Sequence, residues 1–348
     1  MTKKLYVLAI LLVCICTINA QEPETFTPHG KIEGRIYTDF SADIVGDGHN
    51  KAFELKRAYF GYQYQITPVW RTHLRVDVGG SEFIFDGIVD GAVFDGAESQ
   101  YVFFKTAALF YEKGSWFGAF GLHDTYQFKE QETLWGKRYI LPSMLDKQKF
   151  DFSADIGASM QYRTANLNID FGIFNGEGYK QLQTDDAFRG SLGITKRWLS
   201  HRLITRIYGD YSAAATHLYS VTGFIGVDLD KFTFGAEYTY QNNYAYYDGH
   251  NREAYSLFTQ YNIRPRLGLW ARVDGMHSLF DLGEKFEGDH QDHMDTWLAK
   301  DGEDFYVGLE YVMVPRRINT SINYQHHRTN EVNPYNSGKI YFNLEVSF

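Results

Sequence analysis

At the end of the chain Ile340, Phe342, Leu344, Val346 and Phe348 alternate with Lys339, Tyr341, Asn343, Glu345 and Ser347. A period of two puts the first set on one face of a strand and the second on the other. The same alternation recurs along the chain in stretches of about nine to twelve residues, the length a tilted strand needs to cross a bilayer. Over 30–40, Ile32, Ile36 and Phe40 oppose Glu33, Arg35, Tyr37 and Asp39. Over 55–66, Phe60, Tyr62 and Tyr64 oppose Arg57 and Gln63. Over 70–78, Leu74, Val76 and Val78 oppose Arg71, His73, Arg75 and Asp77. Further stretches fall near 100–111, 116–124, 152–163, 167–175, 188–197, 202–211, 218–228, 232–241, 253–263, 267–275, 304–314, 318–327 and 339–348, about sixteen strands in all.

The connections between these stretches alternate in length. Short turns are expected near 67–69, 112–115, 164–166, 199–201, 228–231, 264–266 and 315–317. Longer polar segments lie at about 41–52, 80–99, 125–151, 176–187, 212–217, 242–252, 276–303 and 328–338. Strict long-short alternation is the plan of an all-β transmembrane antiparallel barrel with short periplasmic turns and long outer loops. A soluble β-sandwich has no reason to keep it.

Composition narrows the class further. The chain has 26 Tyr and 27 Phe, yet its mean hydropathy is −0.37. A barrel in lipid combines the two, because lumen residues dilute the lipid-facing ones and aromatic girdles form at both interfaces. The formal net charge of −9 speaks against nucleic acid as a partner. Residues 1–20 read as a secretory signal peptide, with Lys3 and Lys4 ahead of the apolar run from Leu5 to Ile18, which leaves 21–348 as one barrel domain. Both cysteines, Cys14 and Cys16, fall within that signal, so no disulfide or cysteine-bound metal is expected in the mature chain. Only about ten residues separate Gln21 from the first strand, too few for a transporter plug. An aromatic C-terminal residue, Phe348, fits recognition by the barrel-assembly machinery of a Gram-negative outer membrane.

Sixteen strands enclose a lumen wide enough for water, so inward residues should carry the chemistry. The inward bases include Arg35, Arg57, Arg71, Arg75, Lys105, Arg163, Arg189, Arg202, Arg206 and Arg272. Guanidinium forks donate paired hydrogen bonds to phosphate or carboxylate, which makes these the candidate pore-lining, anion-binding set. Inward acids such as Asp39, Asp77, Asp155, Asp170, Asp210 and Glu310 are nearly as frequent, and paired charge that merely hydrates the pore is the competing reading. Segment 126–150 is long, and Leu134, Trp135, Tyr139 and Ile140 need somewhere apolar to pack. It is expected to fold inward and narrow the channel, bringing Lys129, Lys137 and Arg138 with it.

FELKRAYFG at 53–61, the Pro68-Val69-Trp70 turn and LRVD at 74–77 resemble the opening of the phosphate-selective porin O and P family. ETLWGKRY at 132–139, FSADIG at 152–157 and NGEGY at 175–179 are similar to inner segments of related porins. The resemblance implies an outer-membrane porin in which Arg57, with Lys56 beside it, lines the pore. It also implies that the bases of the inward loop complete an anion site. The many inward acids depart from that pattern.

DHQDHMD at 289–295 carries His290, His293, Asp289, Asp292 and Asp295, and the first loop carries Asp43, Asp47 and His49. Their loose spacing fits solvated acidic loops better than a metal site. No Ser, His and acid set falls at a recognisable motif. The expectation is a passive diffusion porin for small hydrophilic solutes, possessing no cofactor or covalent chemistry, favouring anions such as phosphate, surrounded by outer-membrane lipid and assembled as a homotrimer by analogy. An adhesin or structural barrel is the alternative, followed by an outer-membrane hydrolase.

Overall fold

The computed structural model describes residues 26–46, 50–80, 88–89, 92–93, 100–181, 183, 186–214, 216–279, 301–329 and 336–348. β1 spans His29–Val45, β2 Lys51–Gln65, β3 Trp70–Gly80, β4 Gln100–Lys113 and β5 Trp116–His123. β6 spans Asp155–Arg163, β7 Leu167–Phe174, β8 Arg189–Trp198, β9 Leu203–Ala213 and β10 His217–Asp228. β11 (Phe232–Asn242), β12 (Arg252–Arg264), β13 (Leu267–Ser278), β14 (Gly302–Val314), β15 (Ile318–Thr329) and β16 (Asn336–Ser347) complete the set. Each strand pairs antiparallel with its chain neighbours, and β1 pairs with β16, so the sixteen form a closed barrel. Closure leaves no edge, and every ladder group finds a partner without water. Between β3 and β4, the two-residue strands Ile88–Val89 and Ala92–Val93 pair with each other.

In the regular strands the period-two reading holds residue by residue. Along β10 the exposed His217, Tyr219, Val221, Gly223 and Ile225 alternate with the buried Leu218, Ser220, Thr222, Phe224 and Gly226. Phe53, Phe120 and Ile207 are 87, 72 and 70% exposed on the outer face. In water each such side chain would forfeit about 1.5–3 kcal/mol of burial, whereas lipid solvates it. No described helix is long and apolar enough to cross a membrane; the strands do the crossing. Phe348 closes the ladder through two 3.0 Å backbone bonds with Gly34. A Cβ at Gly34 would sit 2.0 Å from the Phe348 ring, so glycine is what lets the terminal aromatic lie flat there.

Three expectations need correction. Strand β1 continues to Val45 through what was expected to be loop. The long loop anticipated at 212–217 is shortened from both sides, because β9 runs to Ala213 and β10 starts at His217. Strand β9 starts at Leu203, so Arg202 is an exposed turn residue rather than an inward one.

Burial is lopsided around the lumen. Inward residues of β7 to β14 are mostly buried, whereas those of β2 are mostly half-buried. The cause is the chain between β5 and β6, which folds into the barrel and leans on one side of it. It contains α1 (Lys129–Trp135) and α2 (Met144–Lys147).

Candidate functional site: a constricted lumen

A segment drawn into the lumen needs apolar contacts and partners for its backbone. Trp135 supplies the first, packing edge-on against Phe258 of β12 and Trp270 of β13 with ring centroids 5.3 and 5.5 Å away. Tyr139, Ile140, Leu141 and Phe224 join this cluster. Phe128, Met144, Leu145 and Phe150 form a second one with Ala254 and Met276.

Wall arginines supply the second. Arg206 donates to the Tyr126 carbonyl at 2.8 Å, Arg189 to that of Phe150 at 3.1 Å, and Arg272 to that of Pro142 at 2.6 Å. Arg252 reaches the Gln148 and Lys149 carbonyls at 3.1 and 2.8 Å. A guanidinium has five donors, so one edge can serve the loop while another is neutralised by the wall. Asp170 neutralises Arg206 at 2.6 Å, Asp210 neutralises Arg189 at 2.8 Å, and Asp274 neutralises Arg272 at 2.5 Å. A Cβ at Gly193 would come within 2.4 Å of Arg206 and 2.5 Å of Asp170, so glycine makes room for that pair. On this wall Arg206, Arg189 and Arg272 are each paired with an aspartate while holding the loop, and Arg252 holds it with Gln241 as its wall partner.

The loop bases are also engaged. Lys137 bonds Glu310 on β14, which accepts from the Tyr139 hydroxyl at 2.9 Å as well. Lys129 meets Asp124 at 2.8 Å. Arg138 sits between Glu132 and Asp146, the latter at 2.7 Å. Burial opposes ionisation of Asp146, but Arg138, Arg57 and Lys105 outweigh it and hold the carboxyl below its ordinary value. Asp124 is held low in the same way, with burial overcome by Lys129, Arg75 and Lys105.

The opposite wall, β1 to β4, faces the remaining space. Arg57 donates to the Tyr59 hydroxyl at 2.9 Å and to Asp77 at 3.3 Å. Arg75 contacts Thr106 at 3.0 Å and Asp124 at 3.2 Å. Arg35 bonds the Tyr37 hydroxyl at 3.3 Å and lies 3.6 Å from Glu345. Two register shifts alter the simple parity of this wall. Between β1 and β2 the pairing jumps from Tyr37↔Arg57 to Thr38↔Leu55, which leaves Lys56 as an extra residue near inward Asp39, at 3.7 Å. Between β3 and β4 it jumps from Arg75↔Thr106 to Val76↔Phe104, which leaves Lys105 as the extra residue. A bulge turns consecutive side chains to nearly the same side. Lys105 therefore points inward beside Thr106, bonds Ser153 and lies 4.0 Å from the centre of the Tyr179 ring. No carboxylate comes within ion-pair distance of Lys105 among the described residues. Tyr179 itself arrives from the segment after β7 and donates to Asp77 at 3.0 Å.

Two cavities flank this narrow region. The outer one, about 230 Å³, is lined by Arg57, Asp146, Lys149, Tyr179 and Lys180 among others. The inner one, about 560 Å³, opens toward the periplasmic turns and includes Arg35, Arg75, Lys105, Lys129 and Arg138. Ser153 lines both. The inner cavity carries eight basic side chains against three acidic ones. That excess stands out in a chain whose net charge is −9.

Of the sequence candidates, Arg35, Arg75, Lys105, Lys129 and Arg138 share the inner cavity, and Arg57 borders the outer one. Arg71, Arg163 and Arg206 line a third cavity of about 480 Å³ beneath the loop. Lys137 is buried on the far wall, and Arg202 stands at a turn. Tyr179, Ser153 and Asp146 were not singled out from the sequence; only the NGEGY and FSADIG resemblances touched the first two. The motif at 289–295, with Asp47 and His49, lies outside the described residues. No group of metal ligands occurs among the described ones.

No family model matches the chain, and no curated protein matches it. Solved structures do. The outer-membrane channel DcaP of Acinetobacter baumannii superposes with a TM-score of 0.63 at 14% identity, over 94% of this chain and 99% of that one. The Salmonella typhi OmpF complex with daunomycin gives 0.64 at 10% identity, over 92% and 97%. An anion-selective porin from Comamonas acidovorans gives 0.62 at 8% identity, over 92% and 100%. At these identities the likeness is one of architecture: the chain has the fold of Gram-negative outer-membrane porins.

Proposed function

We propose that this protein is an outer-membrane porin that lets small hydrophilic solutes diffuse passively through a constricted lumen and favours anions such as phosphate. The observation that supports the preference is the inner cavity, with its eight basic and three acidic side chains. A low-dielectric wall focuses the field of such an excess, which raises the local concentration of the opposite charge. Lys105, with no described carboxylate within ion-pair distance, lines this cavity beside Arg35 and Arg75. The resemblance to the porin O and P family and the anion-selective barrel from Comamonas acidovorans point the same way. Trimeric assembly belongs to the same proposal. Purified protein in a planar bilayer should give stepwise conductance with no energy source, and correctly folded but silent protein would overturn the channel reading.

A further inference from the structure

Near the periplasmic turns the register lays inward residues of four consecutive strands in a row. Arg71 on β3 stands directly across from Phe110 on β4. The Phe110 ring centre is 5.8 Å from that of Phe117 on β5, and Arg163 on β6 comes next. The two arginines cap the aromatic pair from either end. The Arg71 Cζ atom lies 4.5 Å from the Phe110 centroid, and that of Arg163 lies 4.0 Å from the Phe117 centroid. Among the described residues their side-chain hydrogen bonds go to neutral amides. Arg71 donates to Gln63 at 3.3 Å and Arg163 to Gln161 at 2.5 Å.

Both guanidiniums line the same cavity of about 480 Å³. Every carboxylate lining that cavity is already engaged by another base. Asp124 is held by Arg75 and Lys129, Glu130 by Arg197, and Asp170 by Arg206. Glu112 and Glu33 are the acids whose field reaches Arg71, yet neither comes within 4.0 Å of it. The two guanidiniums flank one aromatic pair on the wall of that cavity. Two like charges held toward one polar cavity, with no carboxylate among the described residues pairing either, are an arrangement that a bound anion would relieve.

We propose that Arg71 and Arg163 form a clamp for a small divalent oxyanion at the periplasmic end of the lumen, distinct from the narrow region at Arg57 and Lys105. Each guanidinium stands over a ring and gives one N–H to a glutamine, which leaves its other donors to grip oxygen. A divalent ion satisfies both forks at once, whereas a monovalent ion leaves one charge uncompensated. Binding by the clamp needs only the folded barrel; a role in drawing anions through rests on the channel reading above.

Sulfate is a suitable probe because it is dianionic at every working pH. Titration calorimetry of the folded barrel in detergent should show sulfate binding that weakens at least tenfold in Arg71→Gln and in Arg163→Gln, and vanishes in the double variant. Arg266→Gln, in the exposed turn between β12 and β13, should bind as the parent does, and chloride at equal ionic strength should give no saturable heat. The parent failing to bind, or the double variant binding unchanged, would overturn the clamp. If the double variant fails to fold, the two single variants carry the test, and equal affinity to the parent in both would overturn it. A barrel that binds sulfate here yet conducts nothing would remove the channel reading and leave the clamp standing.

Discussion

Replacing Arg272 with Met tests whether wall arginines hold the inner loop. Arg272 meets both oxygens of Asp274, at 2.7 and 2.5 Å, and the Pro142 carbonyl at 2.6 Å. Asp274 and Arg272 are each almost wholly buried. Met keeps most of the apolar volume but strands the carboxylate, which costs about 3–5 kcal/mol for a broken buried pair. The lost donor to Pro142 adds about 1–3 kcal/mol for a buried carbonyl left without a partner. The double variant Arg272→Met/Asp274→Leu removes the stranded charge and should recover the first cost while keeping the second. A residual of about 1–3 kcal/mol that falls on the loop makes its excursions about 5- to 150-fold more frequent. Urea unfolding in lipid vesicles reads the stability change, and open-channel current noise reads the loop. The single variant should be markedly less stable and noisier, with the double variant partly restored in stability yet still noisy. A single variant as stable and as quiet as the parent would refute the anchoring.

Ile207, 70% exposed near the middle of β9, should tolerate Arg poorly: about 2–4 kcal/mol lost at the bilayer midplane, measured by the same unfolding assay. Asp124 and Asp146 both lie below the ordinary aspartate value of 3.8. A carboxyl depressed on folding contributes stability that is complete above its unfolded value and is lost as pH falls through the folded one. Loop noise arising from these two ties should therefore stay constant from pH 7 to about 5 and rise only below about 4; a rise already at pH 6 would contradict their assignment.

Strand number, closure and the inward course of 126–150 were legible in the sequence because they rest on periodicity and on apolar residues that need cover. Parity failed at local irregularities. Lys56 becomes inward only through a bulge, and the bulge at Lys105 flips the faces of β4 beyond it, an effect that alternation alone does not register. Pairing was invisible for a different reason. Arg206 and Arg75 look alike in the sequence, yet the first is buried, holding Asp170 and the Tyr126 carbonyl, while the second, paired with Asp124, stays half-buried beside two cavities. Which of them faces water is decided by where the loop lies, and that depends on Trp135 finding Phe258 and Trp270 more than a hundred residues away.

The central claim is that excess positive charge in the lumen selects anions, and the zero-current potential under a potassium chloride gradient measures it most directly. Recorded in a planar bilayer at low salt, the parent channel should show a reversal potential of the sign set by chloride. Lys105→Glu should shift it toward potassium, and the shift should shrink as the Debye length falls from about 10 Å at 0.1 M to about 3 Å at 1 M. A parent potential of zero or of the potassium sign, unmoved by Lys105→Glu, would contradict the account.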